Sequence, residues 1–194
     1  ILENIIATSL DPILICEGPG TIIKTNNAFL NMVGYTENEV LGKKTYELSV
    51  TTPGTYTSTT GEQITIAQDY LDEQAAKIEK LLETGVLRNW VSYYISKDKR
   101  LIPIDQNLVI LGPDRNEQTV SFAILRDITE QRKAELELIK SKEVLEKFVV
   151  TSLDPIVISE NKGIISRVNQ AFLDMIGYTE AEVIGNPVYG FSLI

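Results

Sequence analysis

The sequence predicts an α+β fold built on an antiparallel sheet, present once in full and once in part. Three observations carry this prediction. Two short β-branched runs flank a Gly-Pro-Gly turn near the start. Three longer strand-like runs joined by short turns follow one long amphipathic segment. The opening motif then returns: residues 8–49 recur without a gap as residues 151–192, at a constant offset of 143, with 24 of 42 positions identical. Five of the other 18 exchange within Val/Ile/Leu, Asn/Asp or Lys/Arg. The offset is too long for a solenoid unit and suits one domain plus a linker. The second copy stops after its first third, so a longer modular protein is expected.

Each element has its own signal. A first helix from Leu2 ends near Ser9, because Asp11 precedes Pro12 and is pushed out of the helical region. Ile13 to Glu17 and Thr21 to Thr25 are strands, and Gly18-Pro19-Gly20 between them supplies a hairpin turn. Asn26 begins a helix that places Phe29, Met32 and Val33 on one face, with Gly34 where a left-handed C-cap falls. Thr36 with Glu39 has capping-box spacing, and Thr179 with Glu182 repeats it. The Thr/Ser/Gly/Pro-rich stretch from Val50 to Ile64 shows no periodicity and is expected to be a long loop. Helical spacing of Tyr70, Leu71, Ala75, Ile78, Leu81 and Leu82 predicts a helix over Ile66 to Glu83, closed by Gly85.

Val86 to Ser96, Leu101 to Leu111 and Thr119 to Ile128 then form a meander, turned at Lys97 to Arg100 and at Gly112-Pro113-Asp114. Alternation puts Ile102, Ile104, Gln106, Leu108 and Ile110 on the inner face of the middle strand. Both faces of the last strand are apolar, which predicts a sheet covered on both sides, the second by a flanking helix or a partner subunit. Residues 129–149 form a charged helix with Leu138 and Leu145 seven apart, as are Ala134, Ser141 and Phe148. This spacing fits a short coiled coil, and equally an amphipathic helix lying on its own domain. The expected domains are residues 1–129, a helical linker at 130–148, and the start of a second domain at 149–194.

Composition excludes several functions. A net charge of −9 without a clustered Lys/Arg stripe argues against nucleic acid. No apolar run approaches a membrane span and no signal peptide is evident, so no membrane contact and a cytoplasmic location are expected. The single cysteine, Cys16, sits in an apolar strand and suits a buried thiol in a reducing compartment. With no histidine, Ser/His/Asp and Cys/His catalysis, the common zinc sites and histidine-ligated haem are removed. The glycines stand singly, without a phosphate-binding loop. No catalytic constellation and no metal site are expected.

The ordered series SLDPI, a strand pair, NNAFLNMVGYTENEVLG, YYISKDKRLIPIDQNLVIL and SFAILRDITEQRKAE resembles a PAS domain with its C-terminal PAC portion. The resemblance spans residues 1 to about 132 and resumes over 148–194. It implies a PAS-like five-stranded antiparallel sheet with flanking helices, and a sensory or dimerisation module of sensor histidine kinases or diguanylate cyclases. Two departures stand out. The usual glycine of the KDG turn is absent from Lys97-Asp98-Lys99, and the Val50 to Ile64 stretch is longer than common. The cysteine that forms flavin adducts has no counterpart over Lys43 to Leu48, which disfavours that cofactor alongside haem. Trp90 keeps open a flavin-adenine-dinucleotide redox pocket of the aromatic kind.

The resemblance places any ligand between the inner sheet face and the long helix. The candidate pocket is Tyr70, Trp90, Ser92, Tyr94, Ile104, Gln106, Leu108, Ser121 and Ala123. Gln106 draws most interest, since a buried amide needs a partner, either a ligand or a neighbouring Ser or Tyr. A filled core without ligand is the competing reading. Asp127 and Thr129 begin the exit helix and are the expected relay residues, one of them as its cap. Expected partners are a second copy of the chain, a downstream output domain and a small molecule.

Overall fold

The computed structural model describes residues 2–112, 119–161 and 163–191. It divides into two compact units, Ile1–Lys133 and Ala134–Ile194. In the first unit a helix α1 (Leu2–Thr8) leads to the hairpin β1 (Ile13–Glu17) and β2 (Thr21–Thr25). Two short helices follow, α2 (Asn27–Val33) and α3 (Glu37–Val40), and then a 3-10 turn, Thr45–Leu48. After a long helix α4 (Gln68–Thr84) come the meander strands β5 (Val86–Ile95), β6 (Leu101–Leu111) and β7 (Val120–Asp127). All pairings are antiparallel, and β7 returns to β1, giving the strand order β2-β1-β7-β6-β5. The five-stranded sheet expected from the sequence is therefore present. Pro113 and Asp114 of the expected turn lie outside the described residues.

Caps form where the sequence places them. Asn26 is the N-cap of α2, and its Oδ1 accepts the Phe29 N–H at 3.0 Å. Gly34 closes that helix at φ 77°, a conformation that costs other residues about 1–2 kcal/mol. Lys99 occupies the left-handed region at φ 64°, in the turn where the family's usual glycine is missing. The Glu39 carboxylate accepts both the N–H and the hydroxyl of Thr36, at 2.8 and 2.9 Å.

The core lies on one face of the sheet. Leu14, Ile22, Ile102, Ile104 and Leu125 from four strands pack against Phe29 and Val33 of α2, Val40 of α3 and Leu48 of the 3-10 turn. Burying each such side chain contributes about 1.5–3 kcal/mol. Gln106, Leu108 and Ala123 share this face, as alternation predicts.

The stretch expected to be a loop is instead a second, two-stranded sheet: β3 (Gly54–Thr57) paired with β4 (Gln63–Ile66). Its Tyr56, Ile64 and Ile66 join Val50 in a separate cluster with Leu101, Tyr93 and Ile95. These last three alternate with Tyr94 and Ile102, so the hairpin covers part of the opposite sheet face. That covering comes from the chain's own insertion, while Ile124 and Leu111 remain exposed on the sheet.

Helix α5 (Thr129–Thr151) begins in the first unit and continues into the second. There β8 (Val157–Glu160) and β9 (Ile164–Val168) form a hairpin, followed by α6 (Gln170–Ile176), α7 (Glu180–Val183) and a 3-10 turn, Val188–Phe191. A register irregularity between Ile158 and Ser159 repeats the one between Ile15 and Cys16.

Candidate functional site

Strand pairing assembles most of the candidate pocket. Trp90 lies opposite Gln106 and Ser92 opposite Ile104, while Gln106 pairs with Leu125 and Leu108 with Ala123. Ala123 in turn faces Leu14, and Ser121 faces Cys16. Thus Trp90, Ser92, Tyr94, Ile104, Gln106, Leu108, Ser121 and Ala123 share one face.

Tyr70 does not join them. It packs on Tyr93, with ring centroids 5.9 Å apart, within the hairpin cluster on the opposite face. The cause is the course of α4, which runs along the edge strand β5. Its first turn therefore meets the outward tyrosine. Burial pushes the Tyr70 phenol up to about 12, the neighbouring Tyr93 phenol raises it further, and a hydrogen bond with the Tyr93 backbone works in the opposite direction.

The polar members of the inner face satisfy one another. Gln106 Nε2 donates to Ser92 Oγ at 2.8 Å in a buried bond, which is the neighbouring-serine alternative for that amide. Trp90 Nε1 donates to Gln74 Oε1 of α4 at 2.6 Å. Tyr94 packs edge-on against Phe29 with centroids 5.9 Å apart; burial pushes its phenol far above the usual tyrosine range. Burial likewise raises the Cys16 thiol to about 11, with a hydrogen bond to Ser121 working in the opposite direction. A thiol held protonated in this way is inert as a nucleophile near neutral pH.

Three residues around this face were not among the expected site residues: Cys16, Phe29 and Gln74. The alternation of Leu14 and Cys16 signalled the first. The apolar face of α2 signalled the second. Nothing in the pattern of α4 marked Gln74, because a glutamine on an exposed-looking helix face is ordinary.

The exit of the sheet is built differently. The N–H of Thr129, the first residue of α5, donates to Asp127 Oδ1 at 2.8 Å, so the Asp127 carboxylate satisfies a free N–H at the helix start. The Ile128 N–H donates to the Pro103 carbonyl at 3.0 Å, tying the junction to β6. The Thr129 hydroxyl shares a 2.8 Å hydrogen bond with that of Thr59. An open groove lies beside this junction, lined by Leu10, Pro12, Met32, Arg126 and Asp127 among others. No group of three or more metal-ligating side chains occurs among the described residues.

The first unit is thus a five-stranded antiparallel sheet whose one face is closed by short helices and whose last strand runs into a long exit helix. The chain belongs to the PAS domain family, whose pattern matches residues 10–130 and again 153–192. No curated protein matches the sequence. Among solved structures, an RNA-binding Light-Oxygen-Voltage receptor is 17% identical with a TM-score of 0.51, covering 75% of this chain and 38% of that one. A Rhodobacter sphaeroides LOV protein is 15% identical, with a TM-score of 0.50 and coverage of 66% and 65%. A PAS domain from a two-component sensor histidine kinase is 13% identical, with a TM-score of 0.48 and coverage of 65% and 92%. At these identities the likeness is one of fold.

Proposed function

We propose that the chain is the signal-input portion of a multidomain cytoplasmic signal-transduction protein, acting as a homodimer and handing its signal through α5 to the second PAS copy. The parent on this reading is a sensor histidine kinase, with a diguanylate cyclase as the alternative; family membership and the tandem layout support it. The observation that carries the relay is α5 itself. It starts at the capped end of the sheet, and its final turn occupies the same sequence position before the second copy that α1 occupies before the first. Along it Leu138, Leu145 and Phe148 are exposed at heptad positions. With Leu138 and Leu145 at position a, Glu137 and Lys142 fall at g and e, a pairing of opposite charge between parallel helices.

Of the two input modes, ligand binding and ligand-free relay, the packing of the inner face favours relay. Tyr94, Ile104 and Ala123 are buried, and the Ser92, Gln106 and Trp90 polar atoms named above already have protein partners. Native mass spectrometry of the purified chain tests both halves of the proposal. A dimer of twice the chain mass supports relay, and a retained adduct restores the ligand reading. Leu145→Lys is expected to yield monomer; a dimer that survives it overturns the α5 seam. Asp127→Ala removes the acceptor of the Thr129 N–H at a cost of about 1 kcal/mol. It is expected to loosen the α5 start, read by hydrogen exchange, more than it lowers the unfolding midpoint; equal losses remove Asp127 from the relay.

A further inference from the structure

We infer that the β3–β4 hairpin is a strap that locks the start of α5, with the Thr59 hydroxyl as its catch on Thr129. The proposal adds a regulatory element to the relay reading and rests on it for its biological meaning, though not for its physical test. Its basis is the tip of the hairpin. Ser58 is fully buried there and forms a parallel bridge with Leu101, the first residue of β6. The Thr59 N–H donates to the Leu101 carbonyl at 2.8 Å, and the Ser58 hydroxyl donates to the same oxygen at 3.2 Å. The turn is held by its own bonds, from the Ser58 N–H to the Glu62 carbonyl and from the Gly61 N–H to the Ser58 carbonyl. A tip fixed to the sheet at this point presents the Thr59 hydroxyl as a set feature, not as a side chain searching for a partner.

That hydroxyl meets Thr129 at 2.8 Å across 70 residues of sequence. The Asp127 carboxylate is only two residues from Thr129, so its bond does not require the hairpin. The Thr59 contact differs: it exists only while the hairpin lies on the sheet. Hairpin position and helix start are therefore coupled, and coupling of this kind is reciprocal. Besides the tip bonds to Leu101, the hairpin's apolar anchors are Tyr56, Ile64 and Ile66, while the strands' other side chains are exposed. A segment so anchored opens more readily than the sealed core. Displacing the strap thus frees the exit helix without any change in the inner face.

The test is amide hydrogen exchange on the complete chain, in the wild type and in Thr59→Val, Thr129→Val, the double variant and Thr59→Ser. Loss of one net hydrogen bond is expected to speed exchange of the Arg132 amide, which bonds the Ile128 carbonyl, by about threefold to tenfold. Thr59→Ser keeps the hydroxyl and is expected to keep the wild-type rate. Thr129→Val is expected to speed exchange at Ser58 in return, and the double variant to go no further than either single one. An unchanged Arg132 rate in both single variants overturns the strap. So does equal acceleration at Ile104 and Leu125, or full additivity in the double variant. Should Thr59→Val undo the hairpin, Thr129→Val, which leaves every hairpin residue in place, decides alone. Failure of the strap leaves the dimer mass untouched, whereas failure of the relay reading appears as a monomer with the strap intact.

Discussion

In the first copy Leu14 and Phe29 are sealed, at 1% and 0% exposure, and Met32 and Tyr35 are half-buried. Their equivalents in the second copy are less protected: Val157 stands at 36%, Met175 at 47% and Tyr178 at 49%. Other equivalent pairs match, with Ile22 and Ile165, and Val40 and Val183, all fully buried, and Asn26 and Asn169 alike at 3%. The hydrogen bonds match as well. Asn26 Oδ1 takes the N–H groups of Ile13 and Phe29, and Asn169 Oδ1 takes those of Ile156 and Phe172. Even the surface ion pair Lys24–Glu3 returns as Arg167–Glu146. Local sequence thus fixes hairpin, caps and short helices in both copies. What differs is the opposing wall: in the first copy Tyr94, Ile102, Ile104 and Leu125 of the meander pack on these residues.

The largest expected difference between the copies is at the shared phenylalanine. Phe29→Ala removes a ring packed on Tyr94 and should cost about 3–5 kcal/mol, as for other large-to-small core changes. Phe172→Ala opens a smaller cluster around Ile165, Val168 and Val183 and should cost less than Phe29→Ala, since the cost depends on the cavity left behind. Denaturant unfolding followed by the fluorescence of the single tryptophan, Trp90, reports on the first domain. Its midpoint should fall sharply in the first variant and stay put in the second. Equal midpoint shifts would mean that the two units unfold together and that the meander is not what separates them.

The shared asparagine comes next. Asn26 Nδ2 also donates to the carbonyls of Ile6, Ser9 and Asp11, so one side chain binds the end of α1, the strand start and the α2 N-terminus. Asn169 makes the equivalent bonds to Ser152 and Asp154. Asn26→Ala strands several buried backbone groups and should cost about 2–4 kcal/mol. The Trp90-monitored midpoint gives this value directly. Asn26→Asp keeps the acceptor and loses the donors, so its cost should lie between those of the alanine variant and the wild type.

These two residues also show what the sequence made legible. Asn26 before a periodic apolar run, Gly34 after it, and the Thr36/Glu39 spacing are local signals, and each local structure followed. Alternation placed Ile104, Gln106, Leu108 and Ala123 on one face because strand geometry leaves no other choice. The β3–β4 hairpin was missed for a physical reason. Each of its strands has few apolar side chains to alternate, and its Ser, Thr and Gly content matches that of loops. The signal lay in the β-branched and aromatic triplets Thr55-Tyr56-Thr57 and Ile64-Thr65-Ile66, separated by a turn with Gly61 at φ 90°. Tyr70 was misplaced because helical periodicity says which residues share a helix face, not which sheet face that helix meets. The Thr59–Thr129 bond, between residues 70 apart, could not be read from spacing at all.

The smallest and most selective contrast is electrostatic. In the first copy the Lys97 ammonium, brought by the β5–β6 turn, bonds both Glu39 carboxylate oxygens at 2.6 and 2.9 Å. Together with the Thr36 N–H and hydroxyl it holds that carboxyl down at about 2. Glu182 is lowered through Thr179 alone, first by its N–H and then by its hydroxyl. A carboxyl lowered on folding adds stability above its unfolded value of about 4.3, and loses it as pH falls toward the folded value. For Glu39 that window runs from roughly pH 4.3 down to about 2. Carboxyl carbon NMR titration should therefore show Lys97→Met moving the Glu39 midpoint upward, toward that of Glu182, with Glu182 itself unmoved. Both groups are solvent-exposed, so added salt should shrink the Lys97 contribution first. An unmoved Glu39 midpoint would assign its displacement to Thr36, and the two capping sites would then be electrostatic equals despite the Lys97 contact.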